Sequence, residues 1–455
     1  MTTPADSPLR PLMDLFRLPM TLTPVQLDGN PTQPGRCLLH LRVAVKPTSC
    51  GSGTTCEKLK GGPTRHVTFT HLPIGWTHVK VRISYKEYWC PTHETSFEAL
   101  PILAHPTRMI TDATARLVEW HLHRRIFVET ERLTGVPAKT VRALFDDYVA
   151  EAERRLPPKL TANIGVDEIY LRVARLVLVS LPPKRLGEKS NAAGKAHLID
   201  ILPAKDMNAA LTTLEGMPGR TIVRRIVTDF CPVIAGFLPR LIDLFPDAKV
   251  ICDRFHFIMQ FDKALERLRG SVAKKIGRKA LEGAKTVMLK RYHRLTNTEW
   301  DRLVDWGEKD PRLWFAYHVR EAAAQIHDAR TPHQGAARLA QLRHTLLSQP
   351  ALAKIFEKPI TLMAEREPEI LAFFGSRLTN GPTEAMNQRL RSLWRSLRVR
   401  KGDDDADSER RFATFRGLAL LQMGAWTYDA ICAARHASER APDREILFGS
   451  EPEEW

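Results

Sequence analysis

Long apolar runs are missing from this 455-residue chain. No stretch approaches the roughly 18–20 consecutive apolar residues that a bilayer-spanning helix needs, which excludes an integral membrane protein of the helical kind. Cysteine is scarce and odd in number, seven in all. That count suits a secreted disulfide scaffold poorly and a reducing, cytosolic setting better. The opening Met1-Thr2-Thr3-Pro4-Ala5-Asp6-Ser7 has no basic segment followed by an apolar core, so no secretory leader is expected. Acidic residues are in deficit: 52 Asp and Glu against 68 Lys and Arg give a formal charge of +16. The excess points to a polyanionic partner, most simply nucleic acid, without implying sequence specificity. What is present is ordinary for a folded protein, with 43% hydrophobic and 26% charged residues, which excludes wholesale disorder. The length implies two to four packing units.

Residues 1–36 are rich in Pro, Thr and Asp and read as a loosely ordered lead-in. Residues 37–100 read as a small zinc-finger-like β module. Its "HVTFTHLPIG" and "THVKVRISYKEYWC" alternate apolar and polar residues around a Pro-Ile-Gly turn, a hairpin pattern. Residues 105–156 change to a helical period interrupted at Thr134-Gly135-Val136-Pro137, which reads as a helix-turn-helix DNA-binding domain. Val141, Leu144 and Phe145 share one face of its second helix. From 160 to 268 the order is β-β-β-α-β-α-β-α, that of a ribonuclease-H-like α/β core, a mixed sheet flanked by helices. Residues 269–375 read as a large all-helical insertion, and 376–455 as the completion of the core, with a basic helix and C-terminal helices.

Phosphodiester chemistry with two metal ions needs hard oxygen ligands a few ångströms apart. Asp167 lies inside the first strand of the core and Asp229 at the end of the fourth, strands that neighbour one another in this order. Glu384, 155 positions later, opens the basic helix after a turn and cap at Asn380-Gly381-Pro382-Thr383. Each acid has a plainer reading: strand-end Asp residues often cap turns, and a Glu in a first helical turn complements the helix dipole. Asp167 resists that reading, because a carboxylate within an apolar strand is costly unless paired or metal-bound.

Cys50, Cys56, Cys90 and His93 form a C-x5-C followed at a distance by C-x2-H, the donor types of a structural zinc site. Cys37, His66 and His71 are possible substitutes, and a module with few large apolar residues needs such a staple. Cys231, Cys252 and Cys432 lie on apolar runs and read as core thiols. In the helix-turn-helix, Lys139, Thr140 and Arg142 follow the turn and would face a major groove, with Arg132 just before it. The basic run 389–401 carries Arg389, Arg391, Arg395, Arg398, Arg400 and Lys401. A solvated face is the usual reason for such a run, but its place beside Glu384 suits phosphate contact near a scissile site.

The strings "GVDE" at 165–168, "TDF" at 228–230, "FPDAKVICDRFHF" at 245–257 and "NGPTEAMNQRLRSL" at 380–393 together resemble the motifs of DDE transposases of the ISL-three insertion-sequence family. The Asp-Arg-Phe-His phrase is the most diagnostic of them, and the resemblance extends over most of the chain. It implies a triad of Asp167, Asp229 and Glu384 holding two magnesium or manganese ions, with Asp253 and His256 as near-site candidates. It also implies DNA strand cleavage at element ends, transfer by 3′-hydroxyl attack on target DNA, and at least a homodimer on its DNA. Two departures stand out: the family's tighter C-x2-C is a C-x5-C here, and Lys401-Gly402 with Asp403, Asp404, Asp405 and Asp407 replaces the usual continuation of the basic run. The alternative is a silent or domesticated transposase that binds specific DNA without cutting it. A junction resolvase would leave the N-terminal modules and the insertion superfluous, and no Ser or Tyr stands in the arginine-rich setting that covalent recombinases need.

Overall fold

The computed structural model describes residues 22–30, 33–43, 46–50, 55–56, 58–98, 108–183, 195–203, 207–229, 232–397 and 405–439. The chain divides into two compact units: residues 1–156 with 400–422 and 426–455, and residues 157–399 with 423–425.

The first unit contains a five-stranded sheet of β1 (Leu22–Asp28), β2 (Gly35–Val43), β3 (Lys60–Ile74), β4 (Thr77–Cys90) and β5 (Thr95–Glu98), in the order β1-β2-β4-β3, with β5 beside β4. The expected β3–β4 hairpin forms, turning at Gly75, whose φ of 54° favours glycine. Alternation buries Leu39, Leu41, Phe69, Val79, Val81 and Ile83 on one face, with Leu22 from β1. Two expectations are corrected here. The lead-in 1–36 contains strand β1, hidden because Pro24 interrupts its pattern; the strand sits at the sheet edge, where a proline is tolerated and the register shifts beside it. The module also has a hydrophobic core of its own, so it does not depend on a metal alone.

Three helices follow, α1 (Asp112–Leu122), α2 (Phe127–Thr134) and α3 (Ala138–Arg155). Helix α2 ends on Gly135 in the left-handed conformation (φ 71°), and Pro137 immediately precedes α3. Val141, Leu144, Phe145 and Tyr148 line the buried face of α3 as their spacing requires. Onto this face pack α15 (Asp405–Met423) and α16 (Tyr428–Glu439), which corrects the expectation that everything after 376 completes the catalytic-type core. Gly417 permits the approach: a Cβ there would lie 2.8 Å from the Phe145 ring. Trp426 Nε1 donates to the Leu156 carbonyl at 2.6 Å, and Arg435 makes bonds of 2.8 and 3.0 Å to the Glu119 carboxylate.

The second unit is built on a sheet of β6 (Asn163–Leu171), β7 (Val173–Ser180), β8 (His197–Pro203), β9 (Arg225–Thr228) and β10 (Lys249–Cys252), in the order β8-β7-β6-β9-β10. The first three strands are antiparallel, whereas β9 and β10 run parallel to β6, joined through α4 (Met207–Gly216) and α5 (Pro232–Leu244). Helix α6 (Arg254–Ile276) follows. The element order matches expectation; only the fourth run is shorter, because Arg220–Ile222 forms a 3-10 turn after Gly219. The core beneath one face comprises Ile164, Val166, Leu176, Leu178, Leu214, Leu238 and Phe245 among others.

From 269 to 375 the chain is helical with no strand among the described residues: α7 (Ala284–Met288), α8 (Asn297–Lys309), α9 (Pro311–Ile326), α10 (Pro332–Leu347), α11 (Pro350–Ile355), α12 (Glu357–Glu365) and α13 (Glu367–Ala372). The boundaries are written locally. Thr296 and Glu299 make a capping box, and Asp310 and Thr331 cap helices whose first residue is proline. At the end of α9, His327 is buried against Phe257 and Phe373, with ring centroids at 5.3 and 5.1 Å. Neither of its ring nitrogens has a hydrogen-bond partner, and burial pushes its pKa down to about 4. Helix α14 (Gly381–Ser396) then returns to the sheet.

Candidate active site

The parallel register brings three carboxylates abreast. Val166 pairs with Thr228, and Thr228 with Cys252. One residue further along each chain stand Asp167, Asp229 and Asp253, on strands spaced about 4.8 Å apart. They are 7%, 8% and 1% exposed. The fourth carboxylate, Glu384, sits in the first turn of α14.

Three contacts fix that helix against the sheet. Gly165 leaves room for it: a Cβ at this position would lie 2.2 Å from Thr383 Oγ1 and 3.0 Å from Asn380 Oδ1. Asp253 Oδ1 accepts from the Asn380 backbone N–H at 2.7 Å, tying the end of β10 to the start of α14. Asn387, one turn beyond Glu384, donates through Nδ2 to Asp167 Oδ2 at 3.0 Å. The expected Asn380 cap is absent in its usual form, since its side chain makes no capping bond. The backbone of that turn is instead held by Asp253.

His256 lies among the acids. Its Nε2 is 3.6 Å from Asp229 Oδ2, and its Nδ1 is 3.3 Å from Asp253 Oδ2 and 4.0 Å from Glu384 Oε1. Burial alone would lower the imidazole pKa, but Asp253 and Asp229 outweigh it and the pKa is raised. Burial works against ionisation of Asp253 too, yet hydrogen bonds from His256 and the Asn380 N–H keep its pKa low. Asp167 behaves in the opposite way: burial first, then the Asp229 charge, push it up to about 7. Glu384 is raised by burial and by Asp253 and Asp229. Asp167 and Glu384, whose ionisation is opposed by burial and by neighbouring negative charge, lose that penalty when a cation enters.

The groups differ in what they have left to offer. Asp253 Oδ2 accepts from the Phe255 and His256 backbone N–H groups at 3.0 and 3.3 Å, capping α6, while its Oδ1 holds Asn380. Its plain reading as a capped strand end is therefore realised, although single ligand atoms of Asp253, His256 and Glu384 lie within 4.8 Å of one another. Reasoning from sequence missed Gly165 and Asn387. A glycine inside an otherwise apolar strand was the available signal for the first, and a polar residue three positions after Glu384 for the second.

In the first unit, Cys50, Cys56, Cys90 and His93 converge. His93 Nδ1 lies 3.3, 3.7 and 3.4 Å from the three sulfurs in turn, and Cys50 and Cys56 Sγ are 3.6 Å apart. A tetrahedron with metal–ligand bonds of about 2.0–2.3 Å has edges of about 3.5–3.8 Å. Burial disfavours the Cys90 thiolate, but hydrogen bonding to His93 outweighs it and lowers the pKa to about 6. The proposed substitutes are elsewhere: Cys37 is in the sheet core, His66 bonds Ser84, and His71 bonds Thr111. Cys252 is a buried thiol, Cys432 is half-buried, and Cys231 lies outside the described residues.

Of the candidate DNA-contacting side chains, Arg132 and Lys139 are exposed and Thr140 is half-buried. Arg142 is directed within its own unit, donating to Thr414 Oγ1 at 2.9 Å. Arg389, Arg391 and Arg395 are exposed on α14, with Arg391 and Arg395 seven and eleven residues after Glu384 and so along its stripe. Arg398, Arg400, Lys401 and Asp403–Asp404 fall outside the described residues.

No curated protein sequence matches the chain. A family described as transposase, of the ISL-three DDE type, matches residues 164–398, from the strand that carries Asp167 to just past the helix that carries Glu384. With more than half its length matched, over the segment that assembles this acidic site, the chain belongs to the ISL-three family of DDE transposases.

Proposed function

We propose that this transposase cuts and joins DNA at a site formed by Asp167, Asp229 and Glu384 on a ribonuclease-H-like sheet. The observation that carries the reading is the pair of Asp residues abreast on β6 and β9, with Glu384 in the first turn of a helix pinned to the same sheet at three points and 4.0 Å from the His256 ring that lies 3.6 Å from Asp229. The strand order, three antiparallel strands followed by two parallel ones on the other side of the first, supports the ribonuclease-H-like assignment.

The donor set fits magnesium or manganese: hard carboxylate oxygens on a rigid sheet, with a buried Asp167 whose ionisation a dication would favour. Asp167, Asp229 and Glu384 would hold two such ions, which when bound polarise the attacking and the leaving oxygens of a phosphodiester displacement. The remaining work falls to side chains of this chain. Asn387 fixes the rotamer of Asp167, Asp253 anchors α14 and orients His256, and a protonated His256 would set positive charge 3.6 Å from the Asp229 carboxylate and 4.0 Å from that of Glu384. Arg391 and Arg395 extend the Glu384 stripe with positive charge and would hold the DNA backbone beside the cut. In the other unit, Cys50, Cys56, Cys90 and His93 would bind a structural zinc. Helices α2 and α3 would act as the helix-turn-helix, reading element ends with Lys139 and Thr140 next to Arg132. Coordinated cutting of two ends calls for two or more protomers.

The test uses the full-length protein and a duplex bearing the sequences that flank its gene, with Mn²⁺ or Mg²⁺. Metal-dependent nicking should fall at least about a thousandfold in Asp229→Asn. Equal cutting by that variant would remove the triad.

A further inference from the structure

The face of the N-terminal sheet opposite its core is strongly basic. Strand alternation places Arg36 and Arg42 of β2 and Lys80, Arg82 and Lys86 of β4 on this face, all exposed. The register makes them one array: Leu38 is abreast of Lys80, His40 of Arg82 and Arg42 of Ser84, while Thr64, His66 and Thr68 of β3 pair with Lys86, Ser84 and Arg82. Among the described residues, the ion pairs within this sheet are His40–Asp28 and Arg65–Glu87, so none of the five cations is neutralised there. At one end the α2–α3 turn lies against the face: His78 Nε2 is 3.1 Å from the Arg132 carbonyl oxygen. A cavity of about 720 Å³ lies between them, lined by Arg36, Lys80 and Arg132 among others.

We infer that this sheet face is a second DNA-contacting surface, one that binds the phosphate backbone of duplex DNA. The inference rests on the DNA-binding part of the function proposed above and adds to it a surface distinct from the helix pair, the zinc cluster and α14. Charge complementarity selects the occupant: five unpaired cations, with Arg132 at the turn, outnumber two carboxylates, Asp28, which pairs with His40, and Glu131 of α2, and threonine and serine hydroxyls between them can donate to phosphate oxygens. Lys80 to Lys86 spans about 20 Å at the rise of a strand, the length of about six base pairs. Such a surface positions DNA without reading its bases. It would hold flanking duplex while the neighbouring helices select the sequence.

The test is the salt dependence of binding by the full-length protein to two 30-base-pair duplexes, one with the gene's flanking sequence and one unrelated, and to the matching single strand. Arg42→Gln, Arg82→Gln and Lys86→Gln, singly and together, change exposed positions away from the turn. The triple variant should lower the slope of log K against log salt by about 2.7 on both duplexes, and each single variant by about 0.9. Equivalently, the wild type should lose about 40-fold more affinity than the triple variant between 50 and 200 mM salt. Melting temperature and zinc content should be unchanged. An unchanged slope, or a loss confined to the single strand, overturns the inference. Retained nicking that is sensitive to Asp229→Asn, together with an unchanged slope, would sink this surface and leave the catalytic reading standing. A lowered slope in a protein that never nicks would do the reverse.

Discussion

Replacing Gly165 by alanine tests whether the active site depends on close contact between β6 and α14. The added methyl would meet Thr383 Oγ1 at 2.2 Å, whereas ordinary contacts begin near 3.4 Å, so Thr383 must retreat by about 1.2 Å. Thr383 is fully buried and precedes Glu384 directly, so the carboxylate moves with it. Overpacking of this kind costs about 1–3 kcal/mol, a fall in melting temperature of about 2–10 °C for a unit of this size. A displacement of about 1 Å at the reacting groups costs about 100-fold in rate. Stopped nicking assays on the flanking-sequence duplex, alongside thermal melts, would separate the two effects: activity should fall far more than stability. Thr383→Ala supplies the control, because its buried Oγ1 has no hydrogen-bond partner and is cheap to remove. The double variant should recover activity to within about tenfold of wild type. If Gly165→Ala nicks at the wild-type rate, or Thr383→Ala gives no rescue, the close approach does not position Glu384.

Asn387→Leu, which deletes the donor to Asp167 Oδ2, should lower nicking by about 10- to 100-fold and raise the Mn²⁺ concentration needed for half activity; a loss of rate with no change in metal requirement would contradict the positioning role. His327 has a folded-state pKa near 4 against an ordinary 6.5, so its contribution to stability is complete above pH 6.5 and is lost as pH falls through about 4. His327→Phe should therefore flatten the decline in melting temperature between pH 6.5 and 4, and an unchanged acid limb would refute this. Elemental analysis should find one zinc per chain, lost in Cys90→Ser, and chelation should lower the melting temperature of the N-terminal unit without abolishing its sheet, whose core is independent of the metal.

The catalytic-type sheet was legible because its signals are local and redundant. Apolar runs of strand length alternate with helical periods, and the acids fall where the parallel register ends. Asp167 could be picked out as a charge following the apolar run Ile164–Val166, the stretch of β6 that is buried. The helical insertion was legible from its caps, such as Thr296 with Glu299 and Asp310 before Pro311. What escaped were properties that exist only between distant segments. Gly165 is informative only once α14 is known to lie on it, and Asn387 only once Asp167 is within reach. Asp253 shows the converse: its motif marked it as near the site, but the hydrogen bonds that reserve it for capping α6 and holding Asn380 are set by the fold. Nothing in the pattern of the C-terminal helices records that Gly417 meets Phe145, so their place beside α3 is not legible from sequence. Strand β1 was lost to a single proline, which an edge tolerates and a central strand would not.

Diffraction from Mn²⁺-loaded crystals, collected at the manganese absorption edge, would test the central claim most directly. Anomalous peaks at coordination distance from the carboxylates of Asp167, Asp229 and Glu384, with Asp253 still bonded to Asn380 and the start of α6, are the predicted result. Manganese bound through Asp253 and His256 while Asp167 and Asp229 stay unligated would contradict it.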